Sequence, residues 1–153
     1  MIFEGVVPKL ILWHKFLEDI VKPERANQES CAWIFADLVQ HVWHVIEVKN
    51  VGLKGKSIAH SFAPDKKDFA RIKRKARKYK LTKIGCIHTH VVIGNNPFEI
   101  ENQSRPSKPD IKYAKKFNDI VRAIVVVQFF LRGDKGIIRK IIWFDQYGNI
   151  LGD

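Results

Sequence analysis

KLTKIGCIHTHVVIG, residues 80–94, is the stretch on which the reading of this chain turns. An apolar run leads into two histidines, His88 and His90, with only Thr89 between them. Residues i and i+2 of a strand point to the same face, so the two imidazoles project together while Thr89 turns the other way. The run KIGCIHT (83–89) reads as a central strand that ends on the pair. A lone histidine on an apolar strand is usually a satisfied core residue. Two at this spacing, at a strand end, point instead to metal ligation.

Before this strand, DKKDFARIKRKARKYK (65–80) reads as a helix opened by Pro64 and Asp65. Phe69, Ile72, Ala76 and Tyr79 form its apolar stripe, and the basic residues take the other face. Further upstream, SCAWIFADLV (30–39) and VWHVIEVKNV (42–51) are rich in aromatic and β-branched residues and read as strands joined by a tight turn, followed by a VGLKGKS loop. A first helix opens at Pro8, with Leu10, Trp13, His14, Leu17, Ile20 and Val21 at three- and four-residue spacing, and stops before Pro23. Downstream, residues 91–106 show no period and read as a long loop. Ser107 and Asp110 make an S-x-x-D helix start, with Ile111, Ala114, Phe117 and Val121 as the buried stripe. RAIVVVQFFL (122–131) and IIRKIIWF (137–144) are strands around an RGDKG turn. This order predicts an α/β domain, a mixed β-sheet flanked by helices. With 153 residues and no repeat or linker, residues 1–153 are read as a single domain.

Hydrophobic residues make up 46% of the chain, which places it among globular proteins. No apolar run approaches the roughly 18 residues of a membrane span, and the N-terminus lacks the features of a signal peptide. Cys31 and Cys86 both lie in apolar strands, where buried free thiols of a reducing compartment are expected in preference to a disulfide. A cytoplasmic location follows. Net charge is +11, and residues 65–83 hold ten Lys or Arg against two Asp. Such a field attracts an acidic partner, whether a protein, an anionic surface or nucleic acid. Single-strand binding usually needs exposed aromatics among the basic residues, and here Phe69 and Tyr79 fall on the apolar stripe.

A catalytic zinc takes three protein ligands and keeps one position open. Asp110 is the natural third candidate beside His88 and His90, because a helix N-terminus stabilises a carboxylate. Glu99 and Glu101 are rivals that spacing does not separate from it, and taken alone Ser107 and Asp110 read better as a plain helix cap. A water activated by metal also needs a base, and Glu29, just ahead of a hydrophobic strand, stands where it can face the mouth of a site.

ESCAWIFA (29–36), then HTH (88–90), then SKPD (107–110) resembles the JAB1/MPN/Mov34 metalloenzyme family (JAMM) of prokaryotic stand-alone type. Glu29-Ser-Cys is similar to that family's E-x-C-G, with Ala32 in place of Gly, and Gly85 precedes the first histidine as it does there. The resemblance follows element order from about residue 10 to about residue 145. It implies a cytidine-deaminase-like JAB1/MPN architecture and Zn2+ held by His88, His90 and Asp110. It further implies Glu29 as general acid and base, with Ser107 helping to hold an oxyanion. The implied reaction is hydrolysis of a peptide or isopeptide bond at the C-terminus of a ubiquitin-like or sulfur-carrier protein. A metal-free scaffold, or a binding module using the basic helix 65–83, are the alternatives. A zinc deaminase is set aside, because its H-x-E and P-C-x-x-C signature is absent. Val91 stands where the family usually has Pro, and the gap between His90 and Ser107 is longer than the family's. That insertion carries Ile93, Phe98 and Ile100, which a solvated loop does not need. It is expected to lie over the cleft, contacting either the substrate's tail or a second copy in a homodimer.

Overall fold

A computed structural model describes residues 9–51 and 65–152. The core of the sheet is β5 (Val121–Phe129), buried along its whole length, as a strand covered on both faces must be. Beside it runs β4 (Thr82–Ile93), parallel and in register from Gly85 opposite Val121 to Ile93 opposite Phe129. That long partner edge carries β4 straight through the histidines, so the expectation that the strand ends on them is corrected. What ends there is the neighbour on the other side. β2 (Cys31–Asp37) pairs with β4 only as far as Cys31 opposite His88, and from His90 onward β5 is the only strand paired with β4. Gly85 allows the close approach of β5: a Cβ there would lie 1.9 Å from the carbonyl oxygen of Val121.

Four further strands complete a seven-stranded sheet: β1 (Lys9–Ile11), β3 (Val42–Val48), β6 (Ile137–Phe144) and β7 (Ile150–Gly152), in the order β1-β3-β2-β4-β5-β6-β7. β1–β3 and β4–β5 are parallel and the other pairs antiparallel, which is the mixed sheet read from the sequence. Neither β1 nor β7 was expected. Pro8 lies outside the described residues. Leu10 belongs to β1, whose backbone pairs with Val42–His44, and Leu12 takes a left-handed conformation (φ 66°) that starts the helix only at Trp13. This helix, α1 (Trp13–Ile20), lays Phe16 and Ile20 over Ile34, Val45, Ile87 and Val125 on one face of the sheet.

The opposite face carries α2 (Lys66–Lys78), α3 (Pro97–Gln103) and α4 (Lys108–Lys116). Asp65 caps α2 through Lys67 N, while Pro64 and residues 52–57 of the expected loop lie outside the described residues. Ile72 and Ala76 pack on Phe35, Ile46 and Val48, a burial worth about 2 kcal/mol for the isoleucine alone. Tyr79 is not part of this stripe. It is the residue at which α2 stops, before left-handed Lys80, and it is 55% exposed. In α4 only Ala114 of the expected stripe is fully buried. Phe117 is exposed, and Val121 already belongs to β5.

The reading of residues 91–106 as one loop is also corrected. β4 runs to Ile93, Gly94 turns with φ 96°, and Asn96 caps α3 by accepting from Phe98 N and Glu99 N. Asn, Pro and Glu at N-cap, N1 and N3 are a helix start in their own right. Ile100 tucks onto Val92, Ile124, Val126 and Phe144, whereas Phe98 stays exposed. Cys31 and Cys86 are buried free thiols with their sulfurs 3.1 Å apart.

Candidate metal centre

Alternation along β4 puts Cys86, His88, His90 and Val92 on the face covered by α2, α3 and α4, and Thr89 on the other. Thr89 still serves the site: its Oγ1 accepts from Ser30 N at 2.8 Å, and its own N–H donates to the Ser30 carbonyl at 2.9 Å. That tie fixes the entry of β2 and hence the residue before it, Glu29. The Glu29 carbonyl accepts a 2.8 Å hydrogen bond from Asn50 Nδ2, and its negative charge acts on both His88 and Cys31.

His88, His90 and Asp110 converge, each offering a ligand atom within 4.8 Å of the others, and among the described residues they are the only such group. His88 Nε2 lies 3.1 Å from His90 Nε2 and 3.1 Å from Asp110 Oδ1, and His90 Nε2 lies 3.9 Å from Asp110 Oδ2. Ligand atoms about 2.0–2.1 Å from a tetrahedral zinc are themselves roughly 3.3 Å apart. The donor set thus fits that ion in both chemistry and spacing. Glu99 and Glu101 are not in the group, and Glu101 faces Arg105 at 3.4 Å.

The remaining polar contacts orient the three donors. The Gln103 carbonyl lies 2.7 Å from His90 Nδ1. A carbonyl can only accept, so the proton sits on Nδ1 and the Nε2 lone pair is left facing the other two donors. Ser107 N donates to Asp110 Oδ2 at 2.7 Å while Ser107 Oγ accepts from Asp110 N, a reciprocal capping box that aims Oδ1 at His88. The helix cap and the convergent carboxylate, alternatives at the level of sequence, are thus one arrangement.

Electrostatics separate the two imidazoles. Burial opposes charge on both. At His88 the hydrogen bond and field of Asp110 outweigh it and raise the pKa. At His90 burial and the neighbouring charge of His88 prevail and bring the pKa down to about 4. Burial also opposes charge on Asp110, but the His88 contact wins and holds the carboxyl well below the usual range. A neutral His90 and an ionised Asp110 at neutral pH are the protonation states a cation requires.

Gln103 is the site residue that sequence reasoning missed. Its contribution is a backbone carbonyl at the last turn of α3, which no side-chain pattern signals. The Asn96-Pro97 helix start was the available clue. Excising residues 95–103 is therefore expected to lower the melting temperature, through the loss of Ile100 from the core, and to weaken metal binding about 10–100-fold, the usual effect of removing a ligand's supporting partner. Calorimetric zinc titration beside thermal melts checks it, and unchanged zinc affinity would mean that the Gln103 contact is incidental.

No helix among the described residues is long and apolar enough to cross a membrane. No curated protein sequence matches the chain significantly. Among solved structures, a protein from Desulfitobacterium hafniense is similar over 94% of this chain and 89% of its own, at 16% identity and a TM-score of 0.51. A protein from Salinibacter ruber aligns over 90% of this chain and 80% of its own, at 16% identity and a TM-score of 0.45. The first likeness concerns the fold alone. The sequence profile of Prok-JAB, the prokaryotic homologs of the JAB domain, matches residues 21–133, a stretch that contains Glu29, His88, His90, Ser107 and Asp110. With well over half of its length matched, the chain belongs to the prokaryotic JAB-domain family.

Proposed function

We propose that this protein is a zinc metallopeptidase that hydrolyses a peptide or isopeptide bond at the C-terminus of a ubiquitin-like or sulfur-carrier protein. The proposal extends to a single domain over residues 1–153 with cytidine-deaminase-like architecture and a cytoplasmic location. The observation that carries it is the convergence of His88, His90 and Asp110, with the His90 tautomer set by Gln103. Membership of the JAB-domain family supports the substrate class.

In this reading His88 Nε2, His90 Nε2 and an Asp110 oxygen hold the ion. An ion held there would supply a Lewis acid for the scissile carbonyl and would acidify water near neutral pH. Glu29 would accept a proton from the attacking water as its oxygen bonds the carbonyl carbon. It then delivers the proton to the departing amine nitrogen as the carbon–nitrogen bond breaks, so one carboxylate serves as base and then as acid. Ser107 Oγ already accepts from Asp110 N. Its hydroxyl proton remains available to donate to the oxyanion from a position fixed before charge develops.

The test is zinc content of the purified protein together with cleavage of a fluorogenic ubiquitin-like C-terminal conjugate. Stoichiometric zinc, and cleavage lost to a chelator and restored by zinc, are expected. A folded protein that takes up no zinc would reduce the site to a polar cluster and leave a non-catalytic scaffold.

A further inference from the structure

The face of the sheet that carries α2 and α4 sets cations against aromatic rings. Lys73 Nζ stands 4.5 Å from the centre of the Phe69 ring, which packs edge-on against Trp33 at 5.1 Å. Lys83 Nζ lies 5.3 Å from the Trp33 ring and 5.4 Å from that of Phe117, linking the two helices. Lys116 Nζ lies 5.5 Å from the Phe117 ring, which stacks with Tyr113, the two planes only 15° apart. Both rings of that stack are exposed, as is Tyr79 beside Lys78.

The carboxylates within this band are spoken for. Asp68 pairs with Arg71, and Asp119 lies between Lys83 and Arg122. Lys73, Arg74, Arg77, Lys78 and Lys116 have no ion pair with any described residue. Unpaired cations alone would suit any acidic surface. Water-exposed rings flanked by ammonium groups add a second recognition element, a flat stacking surface beside the charge. A chain of phosphates carrying flat, unstacked bases uses both. The exposed aromatics that the sequence does not place on α2 are supplied by the end of α2 and by α4.

We propose that this band, running from Lys73 across Trp33 and Lys83 to Phe117 and Tyr113, binds single-stranded nucleic acid. The bases would stack on the Tyr113–Phe117 pair and the phosphates would follow the unpaired cations of α2. The inference does not depend on the metal centre, and none of these residues holds the ion or moves a proton.

The test uses the full chain, with fluorescence anisotropy of a labelled oligo(dT) of about 20 nucleotides, a duplex of the same length and a labelled polyglutamate. Oligo(dT) is expected to bind more tightly than the duplex or polyglutamate, with affinity falling linearly in log salt. Tyr113→Ala with Phe117→Ala should cost about tenfold or more in affinity and leave the salt slope unchanged. Replacing Lys73, Arg74, Arg77 and Lys78 by Ser should flatten that slope by about 0.7 for each phosphate that is no longer neutralised. Circular dichroism and zinc content like those of the parent protein confirm that these surface variants are folded. Absence of oligo(dT) binding overturns the proposal. So does polyglutamate binding as tightly as oligo(dT) with no loss on removing the two rings, which would assign the surface to an acidic protein.

Discussion

Glu29→Gln is expected to leave stoichiometric zinc in place and to slow hydrolysis about 10²–10⁴-fold, the usual worth of a positioned acid–base group. The side chains are nearly the same size, so shape and packing survive, while the negative charge and with it the capacity to take up a proton are lost. Glu29 sits outside the group of convergent ligand atoms, yet its charge reaches His88. In the proposed mechanism it serves the water and not the ion. The backbone around it is held by Asn50 to the Glu29 carbonyl and by the Ser30–Thr89 pair, contacts that the substitution leaves in place. The variant should therefore melt like the parent. Zinc analysis and single-turnover cleavage are read together, and loss of the metal in this variant would make Glu29 a ligand and overturn the assignment of roles.

What could be read from the sequence divides along a physical line. Strand pairs of alternating or continuous apolar residues were legible because burial dictates them: β2 and β3, β5 and β6, and the central place of β4. The helix α2 was legible through Asp65, Ile72 and Ala76. The errors lie where non-local pairing overrides a local signal. Leu10 fits a helical period, but a parallel partner in β3 draws it into a strand. His88 and His90 resemble a strand end because β2 stops opposite His88, yet β5 continues and carries β4 to Ile93. At the candidate site the side-chain donors were readable, since residue type declares a ligand. Their orientation was not. A carbonyl at Gln103 and an N–H at Ser107 are backbone groups, and every residue has a carbonyl, nearly every one an N–H.

Asp110→Ala should reduce zinc affinity by well over 100-fold, since deleting a ligand costs more than deleting the partner of one. Glu99→Ala and Glu101→Ala should leave the affinity as it was, because neither carboxylate reaches the imidazoles. The alanine change also removes half of the capping box that opens α4, a loss of about 1 kcal/mol. Asp110→Asn separates the two effects: its amide oxygen can still accept from Ser107 N, but its charge is gone. Both variants should lose tight zinc binding, and only the alanine variant should melt early. A second readout follows from the imidazoles of the metal-free protein. Asp110 is the partner that raises the His88 pKa against the opposing effect of burial. Without that carboxylate burial prevails, and His88 should titrate at lower pH in both variants when followed by NMR. If Asp110→Ala keeps its zinc while a glutamate variant loses it, the third ligand comes from the insertion, and the contact between Asp110 and His88 is only the capping of a helix against a buried histidine.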